Sequence, residues 1–261
     1  MVNVGVSVQT LEYFLMVMTR IVCFIFIAPF FGMRDIPTRV KAGFALFVSM
    51  VVFGVIEPQN PLVYSGIFEY AGIILREGIT GLLIGFVANI CNSIVSLSGK
   101  IIDMEVGFAM AQIFDPVSNT QSGLTGNLYN FFILLLLIAT DMHHFILKAL
   151  VDSYTVIPVN GSVLRWDALL LSMIQFMGDM MVIGFRIVLP IFACIMILNC
   201  VLGVLAKVSP QMNMFAIGLE LKILVGLSIL FLTMALLPSI ANFIFEEMKI
   251  MMVSVMRGMM P

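Results

Sequence analysis

Apolar segments recur along this chain almost without interruption, over residues 11–31, 42–56, 67–98, 128–140, 145–157, 167–206 and 214–245. In hydrocarbon every backbone N–H and C=O must be satisfied internally, which leaves helices and closed barrels as the only spanning structures. A barrel would show alternating strands of about ten residues. These runs are continuous and rich in Leu, Ile, Met and Phe, which selects helices. The expected fold class is therefore all-α integral membrane protein. The chain is 11% charged, against about 25% in an average soluble domain. No long polar region separates the apolar segments, so residues 1–261 are read as a single membrane domain.

A formal net charge of −2 and the absence of any basic block give no nucleic-acid signature, so partners are sought in the membrane. Cys23, Cys91, Cys194 and Cys200 lie in apolar segments without paired spacing and are expected to be buried free thiols. Glu12 precedes the first basic residue, Arg20, which sits inside the hydrophobic stretch. That order is unlike a signal peptide, and the N-terminus is expected to be retained. Arg34, Arg39 and Lys41 form the one basic cluster and favour a cytoplasmic first loop.

Two features depart from an ordinary multi-span pattern. Crossing the hydrocarbon takes about 20 apolar residues, yet 128–140 and 145–157 offer thirteen each, divided by Asp141, His143 and His144. They read as a helical hairpin too short to cross twice. Glu69, Arg76, Glu77, Asp179, Arg186, Glu220 and Lys222 fall within or at the edges of apolar segments. Isolated charge in lipid costs several kcal/mol, so these side chains are expected to be buried in protein or to face water.

The stretch GFAMAQIFDPVSNTQSG, residues 107–123, carries an Asp-Pro, a polar run and a glycine at each end. Such chemistry favours irregular backbone. Leading into it, Gly78, Gly81, Gly85, Asn89, Asn92, Ser96, Lys100 and Asp103 follow one another at spacings of three or four, which places them on one helix face. The face is small at one end and polar at the other. A polar helix face delivering an irregular loop suits a pore with a constriction, because such backbone at membrane depth is tolerated only in protein or beside a water-filled cavity. On the residues alone, a buried interhelical seam followed by a surface loop remains the favoured alternative.

Signals for catalysis are missing: no glycine-rich phosphate loop, nucleophile elbow or HExxH stands in the sequence, and the two histidines share one loop. No enzyme, cofactor or metal site is expected. His143 and His144 are adjacent and should diverge on a helix, which reads as a polar hairpin tip. Arg186 near Pro190 marks a kinked, charged helix, with a structural ion pair to Asp179 as the default. The 22 methionines are mostly read as core filler. A small-molecule transporter or channel is the rival class, though no internal repeat with corresponding broken helices stands out.

Four separated motifs carry a resemblance over nearly the full length: RDIPTRVKAG after the first apolar segment, the Phe-Asp-Pro core of 107–123, DMHHFILKALVDSYTVIP, and NCVLGVLAKVSPQMNMFAIG. In this order they are similar to the FliR family of type III secretion export-gate proteins. The resemblance implies kinked helical hairpins packed into a multi-subunit export gate at the flagellar basal body of the bacterial inner membrane. Its partners would be FliP- and FliQ-like subunits, with FlhB- and FlhA-like export proteins nearby and unfolded flagellar proteins as cargo. It also implies that 107–123 is a plug, with Gly107, Phe108, Met110, Ile113, Phe114, Asp115, Pro116 and Gly123 as gate residues. Two positions depart from the family pattern. Asp141 and Met142 precede His143 where Asn-Gly is common, and Glu220 follows Gly218-Leu219 where Pro is common.

Overall fold

A computed structural model describes residues 8–33, 35–56, 64, 66–108, 110, 123–163, 165–211 and 213–260. Among these the helices are α1 (Val8–Ile27), α2 (Thr38–Val55), α3 (Ile67–Val106), α4 (Leu124–Ala139), α5 (Met142–Val156), α6 (Trp166–Val208), α7 (Met214–Thr233) and α8 (Leu237–Gly258), with a 3₁₀ turn at Met234–Leu236. No strand occurs among the described residues. Five helical stretches are long and apolar enough to cross a membrane, and a sixth is reached only if α4 and α5 are joined across their break. Separately, their 16 and 15 residues reach roughly 24 Å at 1.5 Å per residue, short of a hydrocarbon core of about 30 Å. The protein is thus an all-α membrane protein.

The chain divides into two compact units: residues 1–90, 141–176 and 246–261 form the first, and 91–140 and 177–245 the second. In the first, α1 buries Tyr13, Met16, Val17, Arg20, Ile21 and Phe24, the three-and-four spacing of a helix with one inward face. α2 packs on α1, with Phe53 edge-on to Phe14 at 5.5 Å. Lys41 belongs to this packing rather than to a free basic loop: it is buried and its Nζ donates to Gly32 O at 3.0 Å. Tyr64 Oη donates to Glu12 Oε1 at 2.6 Å, and this bond to a carboxylate raises the hydroxyl above its ordinary pKa. The C-terminal half of α8 buries Met248, Met251, Met252 and Met256. It opposes them with Glu246 and Lys249, which pair at 2.8 Å.

The first unit is centred on an ion pair. Arg20 and Glu77 are fully buried; Nη2 lies 2.6 Å and Nε 2.7 Å from Glu77 Oε2. The other carboxylate oxygen accepts the Asn160 N–H at 3.0 Å. Arg20 Nη1 donates to Ile157 O at 3.0 Å and to Ser153 O at 3.3 Å. The guanidinium lies 4.2 Å from the centre of the Tyr154 ring, whose hydroxyl donates to Val17 O at 2.9 Å. A buried ion pair recovers its desolvation cost only when the geometry is good and its remaining groups are bonded. Here α1, α3, α5 and the turn after α5 supply those partners.

In the second unit, α6 and α7 keep many apolar side chains exposed, among them Phe185, Leu189, Ile197 and Phe231. α7 starts with the Asn213 side chain accepting the Ala216 N–H at 3.4 Å. The apolar run of 214–245 reads as one segment in the sequence, but the helix breaks at 234–236. Pro238 explains this, since it has no N–H to continue the ladder.

Candidate functional site

Of the expected gate residues, Gly107, Phe108, Met110 and Gly123 are described; Ile113, Phe114, Asp115 and Pro116 lie outside the described residues. What the structure gives is the frame from which 107–123 departs and to which it returns. α3 ends where Gly107 takes φ +99, a left-handed backbone that only glycine adopts freely. A Cβ there would also come within 2.8 Å of Leu219 Cδ1. Phe108 is half-buried and Met110 exposed.

At the return, Gly123 has an ordinary φ of −59. Its need for glycine is space rather than conformational freedom, because a Cβ would run into the Asp103 carboxylate. That carboxylate is buried and accepts the Thr125 N–H, at 3.0 Å to Oδ1 and 3.2 Å to Oδ2. Thr125 is the second residue of α4, whose N–H needs a cap that Gly123 has no side chain to give. Asp103 on α3 therefore caps α4 across space. One turn back, the backbones of Gly99 and Gly126 approach so closely that a Cβ on Gly99 would collide with Gly126. Ser98 Oγ lies 2.8 Å from Ile94 O and 3.2 Å from Gly184 O, which brings α6 against the same part of α3. A cleft of about 380 Å³ opens beside the departure point, lined by Glu105, Gly107, Met110, Asn199, Leu219 and Lys222 among others.

The small-to-polar face of α3 does not share one environment. In the first unit Gly78, Gly81 and Gly85 are buried against α1. A Cβ on Gly81 would strike Arg20 O, and one on Gly85 would come within 2.9 Å of Phe24 O. These glycines are the close-packed seam that lets α1 and α3 approach far enough to join Arg20 to Glu77. Asn89, Asn92 and Ser96 are half-buried, Lys100 is exposed, and Asp103 is buried.

The intramembrane charges divide in the same uneven way. Glu77 is buried and paired, whereas Glu69, Arg76, Asp179, Arg186 and Glu220 are exposed and Lys222 half-buried. Asp179 and Arg186 do not pair; Arg186 instead stands 5.9 Å from the Phe243 ring. Seven residues, about two helical turns, separate the two, beyond the three or four that bring side chains into contact on one face. Cys91 is buried, but Cys200 is exposed, against the expectation for all four thiols. His143 and His144 do not diverge: their ring centres lie 4.0 Å apart.

Sequence reasoning missed Arg20, Gly99, Gly126 and Gly184. Arg20 had a signal, falling on the same helical spacing as Tyr13, Met16, Val17 and Phe24. Gly99 and Gly126 each follow a small residue, Ser98 and Thr125, but their pairing across 27 positions has no local signature.

These features define a helical membrane protein with tight helix contacts and a buried cap at the ends of its central segment. The sequence matches the family of bacterial export proteins, family 1, over residues 11–248, and the chain belongs to that family. It is similar to the flagellar biosynthetic protein FliR of Bacillus subtilis, 28% identical over 89% of this chain and 90% of the relative. The FliR of Escherichia coli is 26% identical over 87% and 86%, and that of Aquifex aeolicus 28% over 87% of each. Family and relatives point to protein export rather than catalysis.

Proposed function

We propose that this chain is a core subunit of the flagellar type III export gate in the bacterial inner membrane. With FliP- and FliQ-like subunits, and with FlhA- and FlhB-like proteins adjoining, it forms the basal-body pore for unfolded flagellar proteins. In this reading residues 1–261 act as one membrane domain and 107–123 is its plug. Family membership supports the export role. The observation that favours a plug is the fixed frame: Gly107 leaves α3 in a left-handed turn, and Asp103 caps α4 at the return. A segment that seals a conduit must move while its ends stay in place, and these ends are held by backbone and buried carboxylate contacts.

The polar part of the α3 face, Asn89, Asn92, Ser96 and Lys100, is then the approach to the constriction, and Asp103 at its end is the buried cap that anchors the return of the segment. Apolar side chains of the plug, Phe108, Met110, Ile113 and Phe114, exclude water from it, and Asp115-Pro116 sets its turn. The test is membrane conductance measured together with secretion of flagellar subunits. Shortening 109–122 is expected to let ions leak. Gly107→Val is expected to block export with the seal intact, because valine resists φ +99. A deletion that assembles, leaks nothing and exports normally would reduce the segment to a surface loop.

A further inference from the structure

We infer that Asp141, His143 and His144, at the start of α5, form a binding site for a divalent transition-metal ion of the zinc class. One donor atom from each of the three side chains lies within 4.8 Å of the other two. His144 Nδ1 and Asp141 Oδ1 are 3.4 Å apart. Two ligands bound at about 2.0–2.1 Å in tetrahedral geometry stand roughly 3.3–3.4 Å apart, so this pair already spans one edge of a zinc coordination sphere. The third donor closes the set with a side-chain adjustment of about an ångström. Two imidazoles and one carboxylate suit zinc, copper or nickel and disfavour magnesium and calcium, which take oxygen ligands.

Three further observations separate this cluster from an ordinary polar tip. Asp141 occupies the N-cap position of α5, where an aspartate normally accepts a backbone N–H, yet its side chain makes no cap bond. The N–H groups of His144 and Phe145 go instead to the Asp141 main-chain oxygen, at 3.0 and 3.4 Å, which leaves the carboxylate for His144. Asp141 adopts φ 57, a left-handed conformation uncommon outside glycine, and from this turn its carboxylate stands beside the His144 ring. His143 Nδ1 is shielded from solvent with no hydrogen-bond partner, beside the Phe30 ring at 6.2 Å. A buried nitrogen left unbonded is costly, and coordination would satisfy it directly or fix the ring through its other nitrogen. The site stands apart from the export reading and would pin the left-handed turn before α5.

The experiment is a cobalt(II) titration of the full chain, purified in detergent with its native partner subunits. Cobalt replaces zinc in such sites and absorbs visibly when tetrahedral. The expected result is one equivalent of cobalt per chain, displaced by zinc but not by excess magnesium. His144→Asn and Asp141→Asn each weaken binding about tenfold or more, and the double variant His143→Ala/His144→Ala loses it, so that any absorption left in the double variant measures the background from other subunits. His144 is largely exposed, so His144→Asn leaves the fold intact and decides the matter if the double variant fails to assemble. Absence of chain-stoichiometric absorption, or unchanged bands and affinity in His144→Asn, overturns the assignment.

Discussion

The surroundings of Arg20 and of Asp179 present the same problem, a charge inside an apolar helix, and solve it differently. Arg20 meets a carboxylate, two carbonyls and an aromatic face within its own unit. Asp179 stays exposed among Met177, Met181 and Val182, which are exposed as well. A charged group in lipid without partners is expensive. The first region is therefore complete within the chain, and the second implies neighbours that bring water or polar groups to its surface.

The largest effect is expected where the chain is self-sufficient. Arg20→Met leaves the Glu77 carboxylate buried and unpaired, and breaking such a pair costs about 3–5 kcal/mol. The yield of folded protein should fall sharply even with partner subunits co-expressed. Adding Glu77→Met should recover part of the loss, since replacing both partners by apolar groups is far milder. If the single variant folds as well as the parent, the ion pair does not hold the first unit together, and the contrast with Asp179 fails.

A smaller effect is expected at the α3–α4 junction. Gly123→Ala pushes a methyl group into the Asp103 carboxylate, and overpacking of this kind costs about 1–3 kcal/mol. Asp103→Ala removes the cap on Thr125 at about 0.5–2 kcal/mol. Because the two changes meet at one contact, the double variant should cost less than the sum of the singles. Thermal unfolding of the purified complex, with amide exchange over 123–127, reads this coupling. Additive costs would show that the carboxylate does not sit where the methyl goes.

The smallest effect on the chain itself is expected at Asp179. Asp179→Asn alters an exposed side chain with no ion-pair partner among the described residues, so its own stability should move by less than about 0.5 kcal/mol. If neighbours supply a partner there, recovery of the multi-subunit complex should drop although the subunit stays folded. Unchanged complex recovery would mean that Asp179 meets water rather than protein.

The helices were legible because apolar runs of this length leave few alternatives, and even the short pair α4–α5 announced itself through Asp141 and the histidines. The end of α8 was not. Glu246, Glu247 and Lys249 look like a terminus, whereas Met248, Met251, Met252 and Met256 continue the inward face for more than two turns. The α3 glycines were legible as a close-packing seam, but their partner was not, because periodicity shows that a face is small without saying which helix covers it. Histidine convergence was misjudged because helical spacing sets where a side chain starts and not how its ring turns: both residues lie in the first turn of α5, yet their ring centres stand 4.0 Å apart. The Asp103 cap needed the third dimension, since donor and acceptor stand 22 residues apart.

That cap has a consequence for how the segment between its anchors can vary. When both ends of a loop are fixed by the scaffold, lengthening it costs only the slow logarithmic rise of closure entropy, about 0.6 kcal/mol for each doubling. The clamp formed by Asp103, Thr125 and the Gly99–Gly126 contact lies outside the excursion from 108 to 122. Insertions or reporter peptides placed within that excursion should leave helix docking untouched, and the segment can be resized, by evolution or in the laboratory, independently of the frame that carries it.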